Sequence, residues 1–323
     1  MKNNPAKKYF RALLKEKVRQ AADKGKKYKP ARIRKPPISK NIQREYTKQL
    51  DGMVKYLGTL YKEHVFPKLQ GIVDKAQAHK KDSFRNDTSA DDVDAMMNNV
   101  QIQFQQKYNK PEKSSIARNI GTKIDKFSKG VFEKESKALV GTNVFVSEPW
   151  LEEKMSAFVK ENVDLVSKWS DGLKSQAEEI IMRGARTGTN VKDIESELKD
   201  RIGVVGSRYD VIARDQVNKF NAQLSQTRHE AIGIDKYIWD TSQDERVRPN
   251  HAALNGESFS YDDPPMGGGT SDDDEGNPGD GINCRCSAIP DVSDIVGELS
   301  DEIDEEDQED FDAESEEEGD DEE

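Results

Sequence analysis

Few side chains in this sequence can bind a cation tightly or act as nucleophiles. Its 323 residues include four histidines and two cysteines, and the cysteines form a CxC pair, Cys284 and Cys286. Imidazole and thiolate are both metal donors and reactive groups. His64, His79 and His229 fall on helical stretches with no partner at ligand spacing, which leaves His251 as the histidine nearest the cysteines in sequence. A CxC pair is too close for an ordinary disulfide framework, so the chain reads as made in a reducing cytosol. A plainer alternative stays open: His251 hydrogen-bonds its own loop, and the cysteines pack as small hydrophobes.

The elements that must position these residues begin at Gly233, where the pattern changes. IDKYIWDTS places Tyr237 and Trp239 on one side and Lys236, Ile238 and Asp240 on the other, the alternation of a strand. DERVRPNHAALNGESFSY reads as a tight turn or one helical turn, with Asn255-Gly256 marking a reversal. Residues 262–283 read as a flexible, acidic, glycine-rich loop, and CRCSAIP as a short returning strand. Before Gly233, residues 150–232 read as helices. Gly172 divides the first two, Asn190 caps a short one, and Gly203 stops it. The last helix buries Ala213, Val217, Phe220 and Leu224. Beside them Arg214, Asn218 and Asn221 form a polar stripe, either an interaction face or an anchor for the β segment.

Further upstream, apolar steps of three and four predict a helix over 42–77, ended or kinked at Pro67, and two more over 90–108 and 114–139. Nothing in that stretch clusters Cys, His and acids as chemistry requires. Hydrophobic residues make up 33% and charged residues 35% of the chain, too little apolar material for one compact core. The net charge of −12 is polarised. Residues 1–44 hold 16 Lys or Arg against two acids, and residues 291–323 hold 20 acids and no base. Lys7, Lys8, Arg11, Lys26, Lys27, Arg32, Arg34 and Lys35 in the basic segment are candidates for contact with DNA phosphates. A helix over 8–22 within it would put Phe10, Leu13, Leu14 and Val18 on one side. No apolar run reaches the roughly 18 residues of a membrane span, and the N-terminus lacks the apolar core of a signal peptide. The expected fold is mostly α with a small C-terminal α+β module. A basic flexible arm (1–40) leads into a helical bundle or hairpin (41–148). A helix-then-β region (149–290) and a disordered acidic tail (291–323) follow.

Three pieces in order, ARDQVNKFNAQLSQTRHEAIG, YIWDTSQDERVRPNHAALNGESF and PP…GINCRC, resemble the Mu F-like family of phage head morphogenesis proteins over about residues 150–290. The resemblance implies a minor head protein of a tailed phage or prophage, present in few copies in the virion. It implies binding to the portal, with scaffolding and major capsid proteins as further partners. Procapsid assembly and the packaging or ejection of double-stranded DNA are the implied processes. Many relatives resemble DxRTCxxC in the second piece and HPxCRC in the third, a pattern that invites zinc. Here Arg248 and His251 stand in place of the two cysteines of DxRTCxxC, and the histidine before CRC is missing. His251, Cys284 and Cys286 remain as candidate zinc ligands, with Asp244 or Asp280 as a possible fourth. Asp244, Arg246 and Arg248 could instead hold the turn by ion pairs and hydrogen bonds, and Gly256 completes the motif.

The expected role is therefore structural, without catalysis. The alternative is a metal-dependent hydrolase or nuclease using His251, Cys284 and Cys286. That would need a general-base carboxylate in a fixed setting, whereas the acids near the motif are expected in a loose loop. The acidic tail occupies the space after the motif, where some relatives append toxin or transferase domains.

Overall fold

The structure, a computed structural model, describes residues 4–31, 33, 39–81 and 89–319, with side chains through 309. It is mostly α, with one small antiparallel sheet near the C-terminus, as expected. Two compact units interleave along the chain, so neither coincides with a contiguous stretch such as 41–148 or 149–290. One, the helical unit, is Ser39–Ile124 with Trp150–Val217; the other, the sheet unit, is Met1–Ile38, Asp125–Pro149 and Asn218–Glu323.

The helical unit holds α2 (Lys40–His64), α3 (Leu69–Lys81), α4 (Ser89–Lys107), α6 (Leu151–Thr187) and α7 (Val191–Ser207), with parts of α5 (Lys110–Val140) and α8 (Tyr209–Ala231). The break between α2 and α3 is a 3-10 turn, Phe66–Lys68, at the expected proline. Tyr46, Leu50, Met53, Leu57 and Leu60 on α2 are buried, as their spacing requires. Tyr46 donates to Asn162 Oδ1 (2.5 Å), and Asn162 Nδ2 donates to Gln216 Oε1 (3.0 Å), so this core is pinned by a satisfied polar chain.

Two expected helix stops are absent. Gly172 lies inside α6 and Gly203 inside α7. A glycine costs a helix only about 1 kcal/mol against alanine, and the buried Leu173, Ala177, Ile180 and Ile181 that follow Gly172 outweigh it. The stop of α6 is Gly188, left-handed at φ 72°, where a Cβ would be strained. Asn190 caps α7 as expected, its side chain accepting from the Lys192 N–H.

In the sheet unit, β1 (Lys236–Asp240) is central, flanked by β2 (Ser258–Ser260) and β3 (Ser287–Asp291), both antiparallel to it. Pro290 sits on an edge strand, where a missing N–H is tolerated. Tyr237 and Trp239 point inward and form a small aromatic core with Tyr261.

The basic segment is not a loose arm throughout. Pro5–Ala22 is helix α1, capped by Asn4, and it buries Phe10, Leu14 and Val18. Part of the acidic segment is helical. Ser293–Gly319 is helix α10, whose Leu299 and Ile303 are buried in the same cluster as Phe10, Leu14 and Val18. Composition hid this because two apolar residues at i and i+4 are enough to dock a helix whose other faces are solvated. Arg32, Arg34 and Lys35 of the DNA-contact set lie outside the described residues.

A second buried polar cluster lies where α5 and α8 meet in this unit. Arg228 is fully buried and bonds Asp125 Oδ1 (2.5 Å) and Glu148 Oε1 (2.6 Å). Next to it, His229 bridges Tyr261 Oη (2.8 Å) and Glu135 Oε2 (3.0 Å), all three buried. His229, which has no partner at ligand spacing along the chain, thus has two, 32 and 94 residues away.

Candidate metal centre

His251 lies on α9, a single turn over Pro249–Ala253 started by its proline. Gly256 follows in a left-handed conformation (φ 91°), its N–H bonded to the Trp239 carbonyl at 2.8 Å. Asn255 Oδ1 accepts from both the N–H and the hydroxyl of Thr241, at 2.9 Å each. The expected reversal is thereby fastened to the end of β1, and α9 is set against the sheet. The Trp239 ring meets the His251 imidazole edge to face, 5.2 Å between centroids.

The CRC triplet immediately precedes β3. Asn283 adopts a left-handed conformation (φ 56°), which asparagine tolerates better than most residues, and turns the chain into it. Asn218 on α8 donates to the Cys284 carbonyl at 3.1 Å, so this member of the polar stripe anchors the β segment. Asn221 is on the same stretch of α8. Arg214 falls on the part of α8 that belongs to the helical unit.

Three donors converge. His251 Nδ1 is 3.6 Å from Cys284 Sγ and 3.5 Å from Cys286 Sγ. All three ligand atoms lie within 4.8 Å of one another, and among the described residues this is the one such group. His251 Nε2 is 3.0 Å from the Gly269 carbonyl, so that nitrogen donates and Nδ1 is the one directed at both sulfurs. The Cys284 thiol is pushed down in pKa, first by its bond to Cys286, against burial, and then by His251 and the backbone N–H groups of Cys286 and Gly279. Burial lowers the pKa of His251, but the bonds to Cys284 and Gly269 outweigh it and hold the imidazole above its usual range. Cysteine sulfurs facing an imidazole nitrogen form a site where a metal ion can take the place of a shared proton. Two thiolates and an imidazole suit zinc.

The carboxylates expected near the site are engaged elsewhere. Both oxygens of Asp244 accept from Arg285, at 2.5 and 2.7 Å, and Asp244 Oδ1 also accepts from the Arg246 N–H. The Arg285 guanidinium holds the Asp244 carboxyl down at about 2. Asp280 Oδ2 accepts from the Asn277 N–H. Arg285 is the central residue of CRC, and its pairing away from the cluster leaves the two flanking sulfurs facing His251. Arg248 Nη2 donates to the Ile282 carbonyl at 2.6 Å and steadies the approach to Cys284.

The glycine-rich loop is packed, contrary to the flexibility expected of it. A Cβ on Gly268 would sit 2.0 Å from the Gly276 carbonyl oxygen, and one on Gly281 would sit 2.5 Å from that of Gly269. These glycines allow backbone to touch backbone, and the contact presents the Gly269 carbonyl to His251. Trp239, Gly269 and Arg285 are the site residues that sequence reasoning missed. The alternation of β1 and the CRC triplet were the available signals for Trp239 and Arg285, and nothing local marked Gly269.

Comparison with known proteins bears on the same region. Residues 175–289 match the family described as phage Mu protein F like protein. An uncharacterized protein of Haemophilus influenzae is 30% identical over 288 residues, covering 86% of this chain and 58% of its own length. An uncharacterized protein of Methanocaldococcus jannaschii is 33% identical over 113 residues, covering 35% of this chain and 16% of its own. The chain thus spans less than two thirds of either relative. No solved structure matches it. No helix among the described residues is long and apolar enough to cross a membrane. The likeness to the phage Mu protein F like family is thus carried by residues 175–289, which contain every residue of the metal-donor cluster.

Proposed function

We propose that the protein is a minor head-morphogenesis component of a tailed phage or prophage. It binds the portal, enters procapsids in few copies, meets scaffolding and major capsid proteins there, and contacts double-stranded DNA without sequence preference during packaging or ejection. The observation that carries this reading is the family match over residues 175–289. The polarised charge is compatible with a protein that faces nucleic acid. Mass spectrometry of purified heads is expected to find peptides of this chain at low stoichiometry to the capsid protein. Their absence, or normal head yield and infectivity after deletion of the gene, would overturn the assignment.

Within that role, His251, Cys284 and Cys286 hold a zinc ion whose purpose is to fix the β module. A hydrolase would need a free carboxylate beside the metal, and the two carboxylates expected near the site, Asp244 and Asp280, already serve Arg285 and the Asn277 N–H. Asp244 and Arg285 act as an outer support for the ligands. Asp244→Asn is expected to weaken zinc binding ~10-fold to 100-fold, the usual cost of removing such support, with all three ligands intact. Competition with a chromogenic chelator measures this. Unchanged affinity would mean that the CRC triplet is aimed by the backbone alone.

A further inference from the structure

We infer that the face of α1 carrying Arg11, Lys15 and Arg19 is a binding surface for the phosphate backbone of duplex DNA, and that α10 occupies it as a removable polyanionic cover. The inference rests on the DNA-contact part of the proposed function and adds where contact occurs and what regulates it.

The three cations stand at i, i+4 and i+8 on one helix, about 6 Å apart along its axis. Each meets carboxylates of α10. Arg11 pairs with Glu298 (3.0 Å) and Glu302 (2.5 Å), and Lys15 with Glu306 (2.5 Å) and Glu302 (3.6 Å). Arg19 pairs with Asp307 (3.1 Å) and Glu306 (3.6 Å). Partner numbers rise together, so the two helices run in the same direction and the ladder keeps a fixed register.

The charge density of α10 is the second observation. Residues 298–309 hold eight carboxylates in about 18 Å of helix axis, roughly one per 2 Å. Duplex DNA carries about one charge per 1.7 Å, so α10 offers α1 nearly the linear charge of a duplex. Lys7, Lys8, Lys26 and Lys27 extend the cationic surface and have no carboxylate ion-pair partner among the described residues.

The cover is exchangeable because its pairs are weak. The side chains of the ladder are 28 to 62% exposed, and ion pairs so exposed are screened by salt and open readily. Beneath them, Leu299 and Ile303 share the buried cluster of Phe10, Leu14 and Val18. Deleting the acidic segment would therefore expose core as well as cations. Neutralising its charges separates the two effects.

The test compares full-length protein with the variant Glu298→Gln, Glu302→Gln, Glu306→Gln, Asp307→Asn. Fluorescence anisotropy on a random-sequence duplex is followed across salt. At about 50 mM salt the variant is expected to bind at least ~10-fold tighter. Its log–log salt slope should steepen by about 2 to 3, since each uncovered cation adds ~0.9. Equal affinity and slope would overturn the cover while leaving DNA contact standing. Absence of binding by both proteins at low salt would overturn the cover and the DNA contact together. Should the variant not fold, Arg11→Gln, Lys15→Gln, Arg19→Gln in the otherwise unchanged chain is the substitute. Its DNA affinity and salt slope are expected to fall, because the exposed pairs open readily and the cations beneath them then reach phosphate, and values equal to the parent's would overturn the assignment of this face.

Discussion

Replacing Arg228 with alanine is expected to destabilise the sheet unit by about 3–5 kcal/mol, the cost of removing one partner from a buried ion cluster. Arg228 is fully buried, with Asp125 and Glu148 on two of its nitrogens, and those carboxylates are 20% and 12% exposed. Without the guanidinium, Asp125 and Glu148 lose their buried cation, and Glu148 keeps only the longer contact to the more exposed Lys129, at 3.7 Å. Removing all three charges together, as Arg228→Met with Asp125→Asn and Glu148→Gln, is expected to recover much of the loss. Well-packed neutral groups often equal or exceed a buried ion pair. Urea denaturation of the parent, the single variant and the triple variant measures both effects. A loss below ~1 kcal/mol in the single variant would mean that water reaches the cluster and the charges are not truly desolvated.

Arg228 also shows what sequence reading lacks. It stands second in TRHEAIG, on a helix whose buried stripe is legible, yet its partners lie 103 and 80 residues earlier. Periodicity identifies which face of a helix is buried. It does not say which charged residue on that face has found a counter-charge. The same holds at the metal centre. The CxC pair and His251 were legible as chemistry, and the alternation around Trp239 and the Asn255-Gly256 reversal were legible as structure. The bond from His251 to Gly269, which sets the donor nitrogen, was not, because any carbonyl can accept and nothing local marks one.

Glycine misled in two opposite ways. By propensity Gly172 and Gly203 predict helix stops, but a cost of about 1 kcal/mol is small beside the burial of an apolar stripe on the same helix. The glycines of 262–283 suggested freedom, whereas Gly268, Gly276 and Gly281 are where two backbone segments touch. At the acidic end, composition suggested no fold. The informative pattern was the matched spacing of Arg11, Lys15 and Arg19 with Glu298, Glu302 and Glu306, visible only when both ends of the chain are read together.

Cys284→Ser is expected to abolish zinc binding and to lower the stability of the sheet unit by as much as the Arg228 change. Protein purified without chelator should carry about one equivalent of zinc, and the variant less than about a tenth. Binding confined to the folded state stabilises it by RT ln(1 + [L]/Kd), about 4 kcal/mol at free zinc of ~1,000 Kd. The effect should be large because Cys284 is the most buried of the three donors together with His251. Its thiol is also pushed down in pKa by its bonds to Cys286, His251 and two backbone N–H groups. A hydroxyl in its place keeps some hydrogen bonds but supplies no thiolate. Chelation and mutation should be redundant: a chelator lowers the melting temperature of the parent toward that of the variant and leaves the variant unchanged. Substituting cobalt for zinc in the parent should give thiolate-to-metal charge-transfer absorption, weakened in Cys286→Ser as one of two sulfurs is lost. Less than a tenth of an equivalent of zinc in the parent would end the metal proposal. His251 and the two cysteines would then be a hydrogen-bonded cluster that packs the loop.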